Sequence, residues 1–157
     1  MSLPGDSLQR MTEIDFHFNT PDKLACACTL MRKATEHGVR MLVIAPVERL
    51  AAIDAALWQG PATDFVTHCT DDAPPSMRSR SAVLILAAGR PLGGHGSDRR
   101  LLVNLAEPVP IGFEGFEQLI DIVSTDDADR RAGRPRWQHY SQRGYALRRH
   151  DHRQATV

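Results

Sequence analysis

Eight arginines crowd the last thirty residues of this chain: Arg130, Arg131, Arg134, Arg136, Arg143, Arg148, Arg149 and Arg153. Trp137, Tyr140 and Tyr145 are interleaved with them, and the only acids in the stretch are Asp129 and Asp151. Residues 128–157 therefore carry a charge of +6, whereas residues 1–127 hold eleven Lys/Arg against seventeen Asp/Glu and carry −6. The whole-chain net charge of zero conceals this division. Guanidinium groups grip carboxylates and phosphates with paired hydrogen bonds, and aromatic faces accept rings and cations. Such a tract is suited to an anionic partner: a nucleic acid, a membrane surface or an acidic peptide.

Other chemistries find little support. The first strand-to-helix turn, Phe18-Asn19-Thr20-Pro21-Asp22, lacks the glycines that let backbone approach a pyrophosphate. Gly89–Gly96 is glycine-rich but has no Gly-Lys-Ser/Thr ending, and Pro91 removes an amide donor, so it reads as a surface loop. No serine sits in a nucleophile elbow and no Cys–His pairing is signalled. Seven histidines invite a metal reading, but none falls at a zinc-site spacing with a second set of ligands. Asp126-Asp127 reads as a helix start, where acids favour the dipole. Neither a catalytic residue nor a cofactor or metal site is expected. Cys26, Cys28 and Cys69 make no disulfide framework, and Cys26 and Cys28 stand about 200° apart on a helix. They are expected as buried free thiols in a reducing cytoplasm.

The elements that must carry these residues alternate along the chain. Residues 1–11 are set aside as a leader or disordered extension, 12–149 read as one domain, and 150–157 as a disordered tail. Glu13–Phe18 alternates as a strand, with Thr20 expected to cap and Pro21 to open a helix over Asp22–His37 that Gly38 closes. Arg40–Ala45 is a continuous apolar run, as in a central parallel strand. A helix over Val47–Trp58 follows, then a short strand at Asp64–Thr67, a loop over Asp71–Arg80 and a strand at Ser81–Leu86. Leu101–Leu105 and Gln118–Val123 read as strands, Asp126–Gly144 as mostly helix, and Tyr145–Leu147 as a last edge strand. Right-handed β-α-β crossovers at these spacings imply an α/β fold. It is a three-layer, largely parallel Rossmann-like sheet with helices on both faces. The longest apolar runs, such as Ala82–Ala88, are too short to cross a bilayer, so no membrane partner is expected.

Three segments then point to one family. They are Leu57-Trp58 with Phe65-Val66-Thr67-His68; Leu101-Leu102-Val103-Asn104-Leu105; and Ile120-Asp121-Ile122-Val123 followed by Asp126-Asp127, Arg134, Arg136-Trp137, Tyr140, Gly144-Tyr145 and Leu147. In this order and spacing the chain resembles the chi subunit of bacterial DNA polymerase III, from about Thr12 to Asp151. The third segment is the most specific. The resemblance implies a non-catalytic clamp-loader accessory protein that pairs with the psi subunit. It also implies a protein that binds the acidic C-terminal tail of single-stranded DNA-binding protein, touching DNA only indirectly.

The resemblance carries the tail site onto Arg130, Arg134 and Trp137, whose i, i+4, i+7 spacing shares one helical face. Val123 would line the pocket, and Arg136, about 100° off that face, would steer the tail. A tail ending in Pro-Phe offers a carboxylate to arginine and a ring to tryptophan. Gly133 and Pro135 depart from the family pattern. Proline disfavours helix at the residue before it, so the helix either runs through or begins near Pro135 with Arg130 and Arg134 on a loop. Trp58 and Phe65 match positions that meet psi, a surface a repair helicase would share; core packing is their other reading. Arg90, Arg99 and Arg100 form a second basic cluster, either surface charge or a secondary contact. The alternative function is direct single-stranded nucleic-acid binding by the Arg-rich tract, with Trp137, Tyr140 and Tyr145 stacking on bases.

Overall fold

A computed structural model describes residues 11–58, 67–92 and 98–153 of the 157-residue chain. Seven strands form one sheet: β1 (Glu13–Thr20), β2 (Met41–Ala45), β3 (His68–Thr70), β4 (Val83–Ala87), β5 (Leu101–Asn104), β6 (Gln118–Ser124) and β7 (Leu147–Asp151). Their order is β3-β4-β2-β5-β6-β1-β7, and every pairing is parallel. Among the described residues the α-helices are α1 (Lys23–Glu36), α2 (Leu50–Trp58), α3 (Pro75–Arg80) and α4 (Asp127–Gln142). This is the three-layer α/β architecture expected from the alternation of elements.

Side-chain alternation divides the core in two. Met41, Val43 and Ala45 of β2 pack with Ala27, Cys28 and Met31 of α1 and Ile53 and Leu57 of α2. Leu42 and Ile44 point the other way, into a cluster with Phe113, Phe116 and Tyr140. All five β2 residues are buried, because a parallel strand covered on both faces has no solvent side. Asp22 rather than Thr20 caps α1, its carboxylate accepting the Ala25 N–H at 3.0 Å, because β1 continues through Thr20. Among the described residues no helix is long and apolar enough to cross a membrane.

Other expectations change in the structure. The segment Asp71–Arg80, read as a loop, contains α3, with Pro75 in its first turn where a missing N–H costs nothing. A short strand is described at His68–Thr70, directly after the one expected at Asp64–Thr67, most of which lies outside the described residues, as do the rest of 59–66, Phe65 included, and 93–97 of the glycine-rich loop. The last strand is longer than expected, pairing with β1 from Ile14↔Leu147 to Phe18↔Asp151. Its charged sequence is held by partners rather than by strand propensity. Arg148 donates to Asp15 at 2.8 Å, and the His150 ring meets the same carboxylate at 2.8 Å. Burial works against the Asp15 charge, but bonds from Arg148, His150 and Gln118 hold its carboxyl below the usual range. Arg99, expected in a surface cluster, is 2 % exposed and donates to the carbonyls of Met41, Arg78, Ser81 and Ala82. It gathers backbone carbonyls at the amino-terminal ends of β2 and β4, which fixes α3 and these strands together.

Candidate functional site

The arginines of interest stand on α4, a helix whose sequence argues against itself. Asp126 begins it by accepting the Asp129 N–H at 3.1 Å. Asp129 ties the first turn to its surroundings, accepting the Ser124 N–H at 2.7 Å and the Lys23 ammonium at 3.0 Å. Burial opposes its charge, yet these bonds lower its carboxyl below the ordinary value. The helix then runs unbroken through Gly133 and Pro135. Pro135 and Arg131 are both exposed, so the carbonyl that loses its usual partner can turn to water. Gly133 is buried, and a Cβ there would lie 2.5 Å from Cγ2 of Val123. Glycine is what lets α4 seat directly on β6.

That contact yields a prediction. Gly133→Ala gains up to about 1 kcal/mol of helix propensity. Overpacking against Val123 costs about 1–3 kcal/mol. A net loss of about 1–2 kcal/mol is expected in urea unfolding. An unchanged or raised midpoint would contradict the close approach.

Directly beneath the helix lies a charged core. Arg136 is 1 % exposed, and its Nε meets both Asp121 oxygens at 3.1 and 3.0 Å. Nη2 completes the ion pair at 2.9 Å, and Nη1 donates to the Glu107 carbonyl at 2.8 Å. The Tyr140 hydroxyl donates to Asp121 at 2.8 Å, and the Asn104 amide reaches it at 3.4 Å. Burial disfavours the guanidinium charge, but Asp121 outweighs it and raises the Arg136 pKa. Burial, reinforced by Asp121, pushes the Tyr140 hydroxyl far up, so it stays protonated and donating. This corrects the expectation for Arg136: it is consumed by the core and does not steer an incoming chain. The 100° offset was right in angle, but it points inward to Asp121 rather than along the surface.

The other named residues converge. Val123, Arg130, Gly133, Arg134 and Trp137 border an open cavity of about 460 Å³. β1 adds Phe16, Phe18 and Asn19, and the chain's last described stretch adds Arg149 and Arg153. Trp137 packs edge-on to Phe16 at 5.1 Å, and the Arg149 guanidinium lies 5.4 Å from the Phe18 ring and 5.8 Å from Trp137. The result is a groove with an aromatic floor and guanidinium walls, suited to an apolar ring carrying a carboxylate. Phe16, Phe18 and Arg149 were missed in the sequence. The alternation of the two phenylalanines marked one face of β1, but nothing local placed Arg149 opposite them.

At the other end of the molecule, Trp58 closes α2 with 63 % of its surface exposed, which removes the core-packing reading. Its ring stands 5.5 Å from His68, whose Nε2 meets Asp54 at 2.9 Å.

A family model described as DNA polymerase III chi subunit, HolC, matches residues 11–148. The chain is 28% identical over 145 residues to a DNA polymerase III subunit chi of Pseudomonas aeruginosa, covering 89% of this chain and 96% of that one. It is 29% identical over 123 residues to a protein of the same name from Haemophilus influenzae, covering 77% and 81%.

Proposed function

This chain belongs to the DNA polymerase III chi subunit family, and from that premise we propose that it is a non-catalytic accessory subunit of the replicase. Its α4–β1–β7 groove receives the acidic C-terminal tail of single-stranded DNA-binding protein, and its Trp58 end pairs with psi. The observation that carries the tail reading is convergence: Val123, Arg130, Arg134 and Trp137 border one cavity, with Phe16 beneath and Arg149 across. The terminal phenyl ring sits on Phe16 and Trp137, and the arginines take the carboxylate and the acids before it. Trp58 is a large exposed aromatic at a helix end, the residue type that anchors protein interfaces. Phe65 is proposed with it for psi, and a repair helicase would compete for the same surface.

The direct nucleic-acid reading loses part of its stacking surface and of its charge. Tyr140 is buried and Arg136 is committed to Asp121, while Arg148 is drawn to Glu13 and Asp15. Arg130, Arg134, Arg149 and Arg153 border a small groove rather than a continuous strand-length surface.

Titration calorimetry with an acidic peptide ending in Pro-Phe, against the same peptide lacking Phe, tests the proposal. Binding of only the intact peptide is expected, weakening as salt screens the arginines. Arg134→Ala should lose about 1–3 kcal/mol, the range for charged hydrogen bonds. Trp58→Ala should bind the peptide as wild type does but fail to co-elute with psi. Equal affinity for both peptides, or for the Arg134 variant, would remove the tail from this groove.

A further inference from the structure

The same pair of edge strands has a second face, turned toward α1, and it gathers a different set of side chains. His17 of β1, Cys26 of α1 and His152, just past β7, bring one nitrogen or sulfur each within 4.8 Å of one another. Nδ1 of His17 stands 2.8 Å from Nε2 of His152, and that nitrogen lies 3.9 Å from Sγ of Cys26. We propose that His17, Cys26 and His152 form a site for a single divalent zinc-type cation.

The ligand set is what such an ion takes: two imidazoles and a thiolate, three protein ligands with one position open. Bond lengths of about 2.0–2.1 Å to nitrogen and 2.3 Å to sulfur place tetrahedral ligand atoms about 3.4–3.6 Å apart. The observed spacings bracket that range, so closing on an ion needs shifts of only a few tenths of an ångström up to about one. His17 is buried, and Cys26 and His152 are half-buried, so the cluster is neither sealed nor a loose surface group. An open cavity of about 600 Å³, bordered by Asp22, Lys33 and His150, gives the ion an entry path and its fourth ligand, a water.

The surroundings hold the ligands in place. The His150 ring stacks on His17 with centroids 4.3 Å apart and is fixed by Asp15 at 2.8 Å. Asn19, which has a left-handed backbone (φ 59°), donates to Asp151 at 2.9 Å and so anchors the residue before His152. Thr20 Oγ1 is buried beside Cys26, close enough for its hydroxyl to favour the charged sulfur. A hydroxyl donor there favours the thiolate that an ion requires. Binding balances simply. The thiol of Cys26 releases its proton to solvent, and each imidazole keeps one N–H on the ring nitrogen facing away from the ion. The bound ion then ties β7 and the end of the chain to β1 and α1.

Cobalt(II) titration of the tag-free, reduced full chain tests this directly. One equivalent should produce thiolate-to-cobalt charge-transfer absorption with tetrahedral d–d bands, and one equivalent of zinc should abolish both. Cys26→Ser should remove the charge-transfer absorption, His152→Ala should weaken binding at least tenfold, and Cys69→Ser should behave as wild type. Circular dichroism confirms that each variant is folded, and His152→Ala at the chain's end serves if Cys26→Ser is not. Absence of the bands in the wild-type protein, or their survival in Cys26→Ser, overturns the site. Because the readout is spectroscopic, its failure leaves the tail-binding groove on the opposite face untouched.

Discussion

Asp121→Ala is expected to destabilise the protein by about 3–5 kcal/mol, the cost of removing one partner from a buried ion pair. Arg136 would be left 1 % exposed with its charge uncompensated, and the Tyr140 hydroxyl would lose its acceptor. Single domains are stable by only about 5–15 kcal/mol, so the variant should sit near the edge of folding at physiological temperature. Urea unfolding followed by circular dichroism measures the effect. The double variant Asp121→Leu/Arg136→Met should recover most of the loss, since replacing a whole buried pair with apolar groups is often neutral. A single-variant loss below about 1 kcal/mol would mean that the pair is not the anchor described. The consequence for function is positional. Arg136 fixes the middle turn of α4, and Arg134 and Trp137 flank it in the groove.

Trp137→Ala is expected to weaken binding of the Pro-Phe peptide by about 2–4 kcal/mol, roughly 30- to 700-fold. Tryptophan carries a large apolar surface, and here it lies in the floor of the groove proposed for the ring. It packs edge-on against Phe16 and lies beneath the Arg149 guanidinium. Truncation removes this part of the floor and frees Arg149 to move, so both the ring and the carboxylate are expected to lose contacts. Trp137→Phe keeps an aromatic surface and should retain affinity within about tenfold of wild type. Calorimetry on the two variants distinguishes an aromatic platform from a general loss of charge, because neither substitution alters an arginine. Wild-type affinity in Trp137→Ala would place the ring elsewhere.

The sequence by itself determined whatever depends on neighbours a few residues apart. Continuous apolar runs such as Met41–Ala45 announced buried parallel strands, and the i, i+4, i+7 spacing of Arg130, Arg134 and Trp137 announced a shared helical face. The family motifs lay in such local spacings too. Tertiary structure decided every question whose answer lay across the fold. Helix α4 continues through Gly133 and Pro135 because glycine leaves room for Val123 below, and above, water can donate to the carbonyl that proline leaves unpaired. Arg136, one arginine among eight, is a core residue because Asp121 lies beneath it, fifteen residues away in sequence. The basic stretch at Leu147–Asp151 has poor strand propensity, yet it becomes an edge strand because Asp15 collects Arg148 and His150. That docking places Arg149 over Phe18 and, on the reverse face, His152 beside His17, 135 residues apart. Opposite charges attract through space, and only the folded backbone says which of them come within reach.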